Sequence, residues 1–192
     1  MVLRKLVILG ALWGGAALAA DIPRPAPAAV FRKPDGQVID LSHYRGKVVA
    51  LEFLITTCPH CQRCSRILQK MQNEFGPRGF QALGVATNDM SHMLIPEYVK
   101  NHDIRFPVGF ASRDEANSFL QHPSMLIMYV PQLVFIDRKG IIRAQFGGQD
   151  EFFKDEENNV RKQIIALLAD GGTAGKPAAP GAKKAAASRK SD

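Results

Sequence analysis

A buried strand followed by an amphipathic helix is the most regular pattern in the chain. Val48 to Ile55 is nearly continuous in apolar residues, which is typical of a central strand covered on both faces. Apolar side chains then recur at spacings of three and four from Cys61 to Phe75, which predicts a helix, and Phe80 to Ala86 predicts a parallel strand after it. One acid, Glu52, interrupts the first strand where the pattern predicts a buried side chain.

The flanking segments predict shorter elements. Val30 to Leu41 holds two short apolar runs around the turn sequence Pro34-Asp35-Gly36, which predicts a small hairpin. Downstream, we expect ordered helical turns from Pro96 to His102, because proline fits best near a helix start. Ser112 and Glu115 have the spacing of a capping box and predict a short helix through Leu120.

The last part of the domain predicts a hairpin and a closing helix. The apolar runs Gln132 to Ile136 and Ile141 to Phe146 are joined by a short turn that contains Gly140, so they predict two antiparallel strands. Glu151 to Ala169 is amphipathic and predicts one helix. The inner face of this helix is expected to be Phe153, Val160, Ile164 and Leu168.

Both ends of the 192-residue chain differ from this domain in composition. Arg4 and Lys5 precede an apolar run of 15 residues that ends in small side chains, so residues 1–20 are predicted to be a cleaved signal peptide. An uncleaved membrane anchor is the weaker alternative, because a spanning helix needs about 20 residues. We expect an extended Pro/Ala-rich lead-in over 21–29, one domain over 30–169, and a disordered tail over 170–192.

The net charge of +7 does not indicate a nucleic-acid partner. The signal segment contributes +2 and the tail +3, which leaves only +2 on the domain itself. A basic patch on the folded surface is therefore not supported, and the basic residues of the tail are typical of a solvated end.

All three cysteines, Cys58, Cys61 and Cys64, fall within seven residues. Structural disulfides in an exported protein are expected to be spread along the chain, because closing long loops stabilises most. The sequence Cys58-Pro59-His60-Cys61 instead places two thiols at a predicted helix N-terminus, where exposed N–H groups and the helix dipole favour a thiolate. This pattern predicts a redox site.

These elements resemble the thioredoxin fold, and more narrowly the exported proteins of the TlpA and ResA type within the redoxin and alkyl-hydroperoxide-reductase-like superfamily. The resemblance covers roughly residues 30–168 and implies an α/β fold with a central mixed sheet, flanking helices and an N-terminal hairpin extension. The matching segments are Asp40 to Val49, Cys58 to Cys61, Val130-Pro131 and Phe135 to Gly140.

The family implies a role for each matching residue. Cys58 would be the exposed nucleophile and Cys61 the buried resolving thiol, while Pro131 would be a cis-proline that lies against the disulfide and holds the substrate backbone. We expect Val130, Pro59 and His60 to contribute to the same substrate-binding surface. Glu52, six residues before Cys58, stands where thioredoxin has a buried acid that is thought to take the proton of the resolving thiol.

The chain departs from the family at two positions. Thr57 replaces the aromatic residue common before the first cysteine, and Cys64 stands where many of the reductases carry a glutamate. Cys64 lies on the apolar face of the predicted helix, which favours packing over a role as an accessory redox thiol. A metal site lacks a fourth ligand, so we expect no metal and no other cofactor.

The sequence therefore predicts an exported, periplasmic or otherwise extracytoplasmic enzyme that reduces disulfides in proteins. By family analogy a membrane thiol donor would supply its electrons, and we expect it to act as a monomer. A disulfide oxidase of the DsbA type, to which the inner Pro59-His60 pair is similar, remains an alternative for the direction of electron flow. Two further hypotheses are a thiol peroxidase, whose motif is incomplete here, and a non-enzymatic copper-delivery module.

Overall fold

The computed structural model describes residues 21–170. The predicted signal peptide and residues 171–192 lie outside this range. Within it the strands are β1 (Arg24–Pro25), β2 (Val30–Arg32), β3 (Val38–Asp40), β4 (Val48–Leu54), β5 (Phe80–Ala86), β6 (Val108–Phe110), β7 (Gln132–Ile136) and β8 (Ile141–Phe146). The α-helices are α1 (Pro59–Phe75), α2 (Ser91–Asn101), α3 (Arg113–Leu120) and α4 (Glu156–Ala169).

The strands form a single mixed sheet in the order β1, β8, β7, β4, β5, β6, β2, β3. The central strand β4 pairs in parallel with β5 and antiparallel with β7. Strands β2 and β3 form the predicted N-terminal hairpin, which joins the sheet through β6. The predicted α/β architecture, with a central mixed sheet, flanking helices and an added hairpin, is therefore confirmed.

Alternation along β4 decides what lies on each side of the sheet. Successive side chains of a strand point to opposite faces, and all seven residues of β4 are buried. Val48, Ala50 and Leu54 pack in the hydrophobic cluster that also contains α1, α2 and α4 residues, whereas Val49, Leu51 and Phe53 pack in the cluster with α3. Glu52 has the parity of the first set, so its carboxyl is buried beneath α1.

Helix α2 begins earlier than the sequence predicts. It runs from Ser91, so Pro96 lies inside the helix and the expected start at Pro96 is wrong. Proline there removes one backbone hydrogen bond, yet Ile95 and Tyr98 on the inner face are buried. Burial of this face outweighs the intrinsic preference of one residue.

The closing helix is not continuous. Residues Glu151–Asp155 form a 3-10 turn, and α4 begins only at Glu156, so the prediction of one helix from Glu151 is wrong. The predicted inner side chains are nevertheless all buried, from Phe153 on the turn to Leu168 on α4. The buried face also contains Glu156, a residue that the predicted inner face did not include.

The lead-in segment contributes strand β1. Arg24 and Pro25 pair with Ile142 and Ile141 of β8, and the Arg24 guanidinium donates to Phe119 O at 3.0 Å. The segment before the domain thus supplies one edge strand of the sheet, and the hairpin supplies the other. Among the described residues, no helix combines the length and apolar character that crossing a membrane requires.

Candidate active site

The two thiols of the Cys-x-x-Cys motif differ in exposure. Cys58 is the N-cap of α1 and is partly exposed, whereas Cys61 is fully buried one turn further along. Pro59 occupies the first helical position, where its missing N–H costs nothing and its fixed φ suits the helix. Both thiols are free in this structure. The motif therefore presents one sulfur to solvent and keeps the other beneath it.

The turn between β4 and α1 is held by side chains of its neighbours. Thr56 N donates to Asn88 Oδ1 at 3.1 Å, and Asn88 Nδ2 donates to Thr56 Oγ1 at 3.2 Å. Gln62 Nε2 donates to Thr56 O at 3.1 Å from the first turns of α1. Cys58 N donates to Ile55 O at 3.0 Å. These bonds fix the position of Cys58 relative to the end of the central strand.

Glu52 lies fully buried behind the motif. Its Oε2 accepts a hydrogen bond from Ser65 Oγ at 2.6 Å, while Oε1 has no hydrogen-bond partner among residues 21–170. Burial raises the pKa of Glu52 from 4.5 to about 8, against the opposing hydrogen bond from Ser65 and with a smaller contribution from the Glu156 carboxylate. A buried carboxyl with such a pKa exchanges protons near neutral pH, which suits an acid–base group.

Cys61 and Cys64 are both buried on the same face of α1. Burial raises the pKa of the Cys61 thiol well above its ordinary value, and the Glu52 carboxylate raises it further. Burial, Glu52 and Glu156 have the same effect on the pKa of Cys64. Neither buried thiol is a nucleophile until a base removes its proton.

His60 is partly buried against the closing turn. Its ring lies edge-on to Phe153 with centroids 4.9 Å apart, and Nε2 lies 4.0 Å from Glu156 Oε2. Burial lowers the pKa of His60 below 6.5, although the Glu156 carboxylate opposes this shift. Burial therefore favours the neutral form of the imidazole.

The loop that contains Val130 and Pro131 lies at the same end of the sheet as the motif. Because β4 and β7 are antiparallel, the start of β7 neighbours the end of β4. The Val130–Pro131 peptide bond is cis, and both Val130 and Cys58 pack against the same hydrophobic cluster. Gly148 supports this loop closely, since a Cβ there would collide with Val130 O.

Residues of the site that were not predicted from the sequence include Ser65, Tyr98, Gly148 and Glu156. Three of them left a signal, because Ser65 is a polar position on the apolar face of α1, Tyr98 follows Ile95 at a spacing of three, and Glu156 lies between Phe153 and Val160. Gly148 left none. Within residues 21–170, no group of three or more His, Cys, Asp or Glu side chains is placed to hold a metal ion.

Comparison with known proteins identifies the family of the chain. The Redoxin family model matches residues 23–164. Similar proteins include the thiol-disulfide oxidoreductase ResA of Bacillus thuringiensis subsp. konkukian, 22% identical over 67% of this chain and 71% of its own. The ResA of Halalkalibacterium halodurans is 25% identical over 66% of this chain and 69% of its own.

Solved structures show the same fold. A thiol:disulfide interchange protein of the thioredoxin family from Chlorobium tepidum superimposes with a TM-score of 0.63 at 24% identity, over 78% of this chain and 99% of its own. The thioredoxin domain of a thiol-disulfide oxidoreductase from Bacteroides vulgatus gives a TM-score of 0.61 at 22% identity, over 76% and 99%. The chain thus belongs to the redoxin family, as a thioredoxin-fold member of the TlpA/ResA type with thiol-disulfide oxidoreductases among its relatives.

Proposed function

We propose that the protein is an exported thiol-disulfide oxidoreductase that reduces disulfides in other proteins through Cys58 and Cys61. The observation that carries this proposal is the pairing of a partly exposed thiol at a helix N-terminus with a fully buried thiol one turn inside. The first can reach a substrate, and the second is positioned to release it. A purely structural cysteine pair has no need for this difference in exposure.

In the proposed reaction, the Cys58 thiolate attacks one sulfur of a substrate disulfide, forms a mixed disulfide and expels the other sulfur as a thiolate. Glu52 then takes the proton of Cys61. The Cys61 thiolate attacks the Cys58 sulfur, the bond to the substrate breaks, and the second substrate sulfur leaves as a thiolate that is protonated from solvent. The substrate gains two electrons and the enzyme becomes the Cys58–Cys61 disulfide, which a membrane thiol donor reduces again.

The state of His60 supports the reducing direction. In oxidising enzymes with a Cys-Pro-His-Cys motif, a cationic imidazole that stabilises the thiolate would favour the reduced form of the enzyme. Here burial lowers the pKa of His60, which disfavours this positive charge. The similar ResA proteins point to the same enzyme class.

An apolar loop beside Val130 and Pro131 supports a polypeptide substrate. Met125, Leu126 and Ile127 are exposed on this loop, Ile127 by 73%. Exposed apolar side chains in a contiguous segment mark interaction sites more often than free surface. Together with the proposed contacts of Pro59, His60, Val130 and Pro131, they would bind the chain that flanks a substrate disulfide.

The proposal predicts thiol-dependent reduction of insulin disulfides with dithiothreitol as the donor. Cys58→Ser is expected to abolish the enzymatic rate, because no other thiol among the described residues is exposed. Cys64→Ala is the matched thiol control and should keep insulin reduction with at most a modest change in rate, since Cys64 is buried and contacts Glu52 without being exposed to the substrate. Loss of activity in Cys64→Ala, with the fold intact by circular dichroism, would show that the third thiol takes part.

The reduction potential of the Cys58–Cys61 pair tests the direction separately. We expect a value near the roughly −270 mV of thioredoxin, and a value near the roughly −120 mV of DsbA would make the protein an oxidase. Tight Cu(I) binding without insulin turnover would instead support the copper-delivery hypothesis.

Export is tested by expressing the full chain in a Gram-negative host and fractionating the cells. We expect the protein in the periplasmic fraction, with the mass of a chain whose first residue is Asp21, because the small residues before this position suit a signal peptidase. A chain that lacks residues 2–20 should stay in the cytoplasm. Recovery of the full chain, uncleaved, in the membrane fraction would favour the anchor.

A further inference from the structure

The two oxygens of Glu52 are in different situations. Oε2 accepts the hydrogen bond from Ser65 Oγ at 2.6 Å, and Oε1 is buried without a hydrogen-bond partner among the described residues. A buried acceptor without a partner is costly and needs an explanation. A role as the acceptor of a transferred proton explains it, because an oxygen without a partner is free to take one. The Cys64 thiol adds a hydrogen bond to the Glu52 carboxyl, so the buried face of α1 reaches this acid.

A chain of hydroxyl groups holds the first oxygen. Tyr98 OH donates to Ser65 Oγ at 2.6 Å, and Ser65 Oγ donates to Glu52 Oε2. A serine hydroxyl has a single hydrogen to donate, and accepting from Tyr98 directs that hydrogen toward Glu52. Helices α1 and α2 therefore both contribute to the orientation of the carboxyl, although neither Ser65 nor Tyr98 is part of the Cys-x-x-Cys motif.

A second buried carboxyl, Glu156, approaches from α4. Its Oε2 accepts from Arg63 Nε at 2.8 Å, and its Oε1 has no hydrogen-bond partner in residues 21–170. The side chain is only 4% exposed, so solvent screens its charge weakly. Its negative charge makes the ionised form of Glu52 less favourable, whereas the Ser65 hydroxyl makes it more favourable.

The other groups around Glu52 complete this environment. Helix α1 supplies Cys61 and Cys64, whose ionisation the Glu52 carboxylate opposes, and α2 supplies Tyr98. His60 and Arg63 reach the cluster through Glu156. The flanking strands place Gly84 and Leu133 opposite Glu52, so they add no titratable side chain there.

We propose that Ser65, Tyr98 and Glu156 are positioning residues for the proton acceptor of this enzyme: the hydroxyl chain orients Glu52 and leaves its Oε1 free to take the Cys61 proton, and Glu156 adds a second buried carboxyl to the same cluster. This inference rests on the proposed role of Glu52. Many of the related reductases carry a glutamate on α1 where this chain has Cys64, and Glu156 on α4 would supply a carboxyl in its place. The Ser65 hydroxyl lowers the pKa of Glu52 and the Glu156 carboxylate raises it. Removing each group should therefore shift this pKa in opposite directions.

The test uses the reaction of the reduced enzyme with dithiobis(nitrobenzoic acid). Cys58 attacks the reagent and releases one nitrothiobenzoate, and Cys61 then displaces the second from the mixed disulfide. The rate of the second release should rise with pH to a plateau, because it follows the ionised fraction of Glu52. The pH at the midpoint of this rise gives the pKa of the proton acceptor in the working enzyme.

The variants should move this midpoint in opposite directions. Ser65→Ala removes a hydrogen bond to the ionised acceptor and should raise the midpoint by about 0.5 to 1 pH unit, with a smaller increase for Tyr98→Phe. Glu156→Gln removes a neighbouring negative charge and should lower it by about 1 pH unit. The double variant Ser65→Ala/Glu156→Gln should return the midpoint close to that of the wild type.

Matched controls separate these effects from general damage. Glu157→Gln neutralises the next residue of α4, which pairs with Lys70 on the surface, and Tyr44→Phe removes a tyrosine hydroxyl on the opposite side of the sheet. Neither should move the midpoint. Equal shifts in one direction for Ser65→Ala and Glu156→Gln, or no shift in either folded variant, would overturn the proposal.

A further variant distinguishes this proposal from the proposed function itself. If Glu52→Gln leaves the second release as fast and as pH-dependent as in the wild type, Glu52 is not the acceptor and the catalytic assignment fails. If Glu52→Gln slows the second release but Glu156→Gln does not shift its midpoint, only the positioning role of Glu156 fails.

Discussion

Cys61→Ser is expected to stop the reaction after its first step and leave the substrate attached to Cys58. Cys58 keeps its exposure at the start of α1, so it still attacks a disulfide. Serine cannot displace the substrate from the mixed disulfide, and turnover of insulin should fall by about a thousandfold or more. Non-reducing electrophoresis and mass spectrometry should show a covalent complex that dithiothreitol releases.

Geometry excludes Cys64 as a substitute for Cys61. Cys64 lies six residues beyond Cys58, which corresponds to a rise of about 9 Å along a helix. A disulfide needs Cα atoms within about 7 Å. Cys61→Ser/Cys64→Ala should therefore trap as much substrate as Cys61→Ser alone. Recovery of turnover in Cys61→Ser that disappears in the double variant would contradict this assignment.

Glu52→Gln is expected to remove most of the pH dependence of stability between pH 5 and pH 8. Folding raises the pKa of Glu52 from 4.5 to about 8, so the folded state holds this proton more tightly than the unfolded chain. Stability from this proton is fully present below pH 4.5 and is lost as pH rises through 8. The total loss is on the order of 5 kcal/mol, and a neutral amide does not have it.

Urea denaturation of the dithiol protein at several pH values measures this effect. The wild type should lose stability steadily from pH 5 to pH 8, while Glu52→Gln should stay nearly constant. Glu97→Gln, an exposed substitution on α2, should follow the wild type. Parallel pH curves for wild type and Glu52→Gln would contradict the rise in the pKa of Glu52 that burial causes.

Glu52→Gln should also slow the step in which Cys61 displaces the substrate from Cys58. We expect a decrease of about a hundredfold, which is the usual contribution of a general base.

The sequence predicted those features that depend on local patterns. Continuous apolar residues at Val48 to Leu54, the stripe that ends at Phe75 and the capping box at Ser112 each define their elements without reference to distant residues. The central strand, α1 and the order of the elements could therefore be predicted. The burial of Glu52 followed from the same reasoning, because it interrupts an otherwise apolar strand.

Features that depend on long-range contacts could not be predicted. Glu156 reaches Arg63 across 93 positions of the sequence, and no local pattern indicates such a contact. Tyr98 reaches Ser65 across 33 positions of the sequence. Helix α2 begins at Ser91, because burial of its inner face outweighs the preference of Pro96. Tertiary packing thus set both the departures from the predicted helices and the surroundings of Glu52.

The outermost strands of the sheet are both very short. Strand β1 has two residues and β3 has three, so each border offers few unpaired N–H and C=O groups. Long, flat edge strands recruit the strands of other chains and start aggregation. An enzyme with the proposed activity on protein disulfides would meet polypeptide chains with such unpaired strands. Short borders would let it exchange disulfides with these chains without becoming a template for their aggregation.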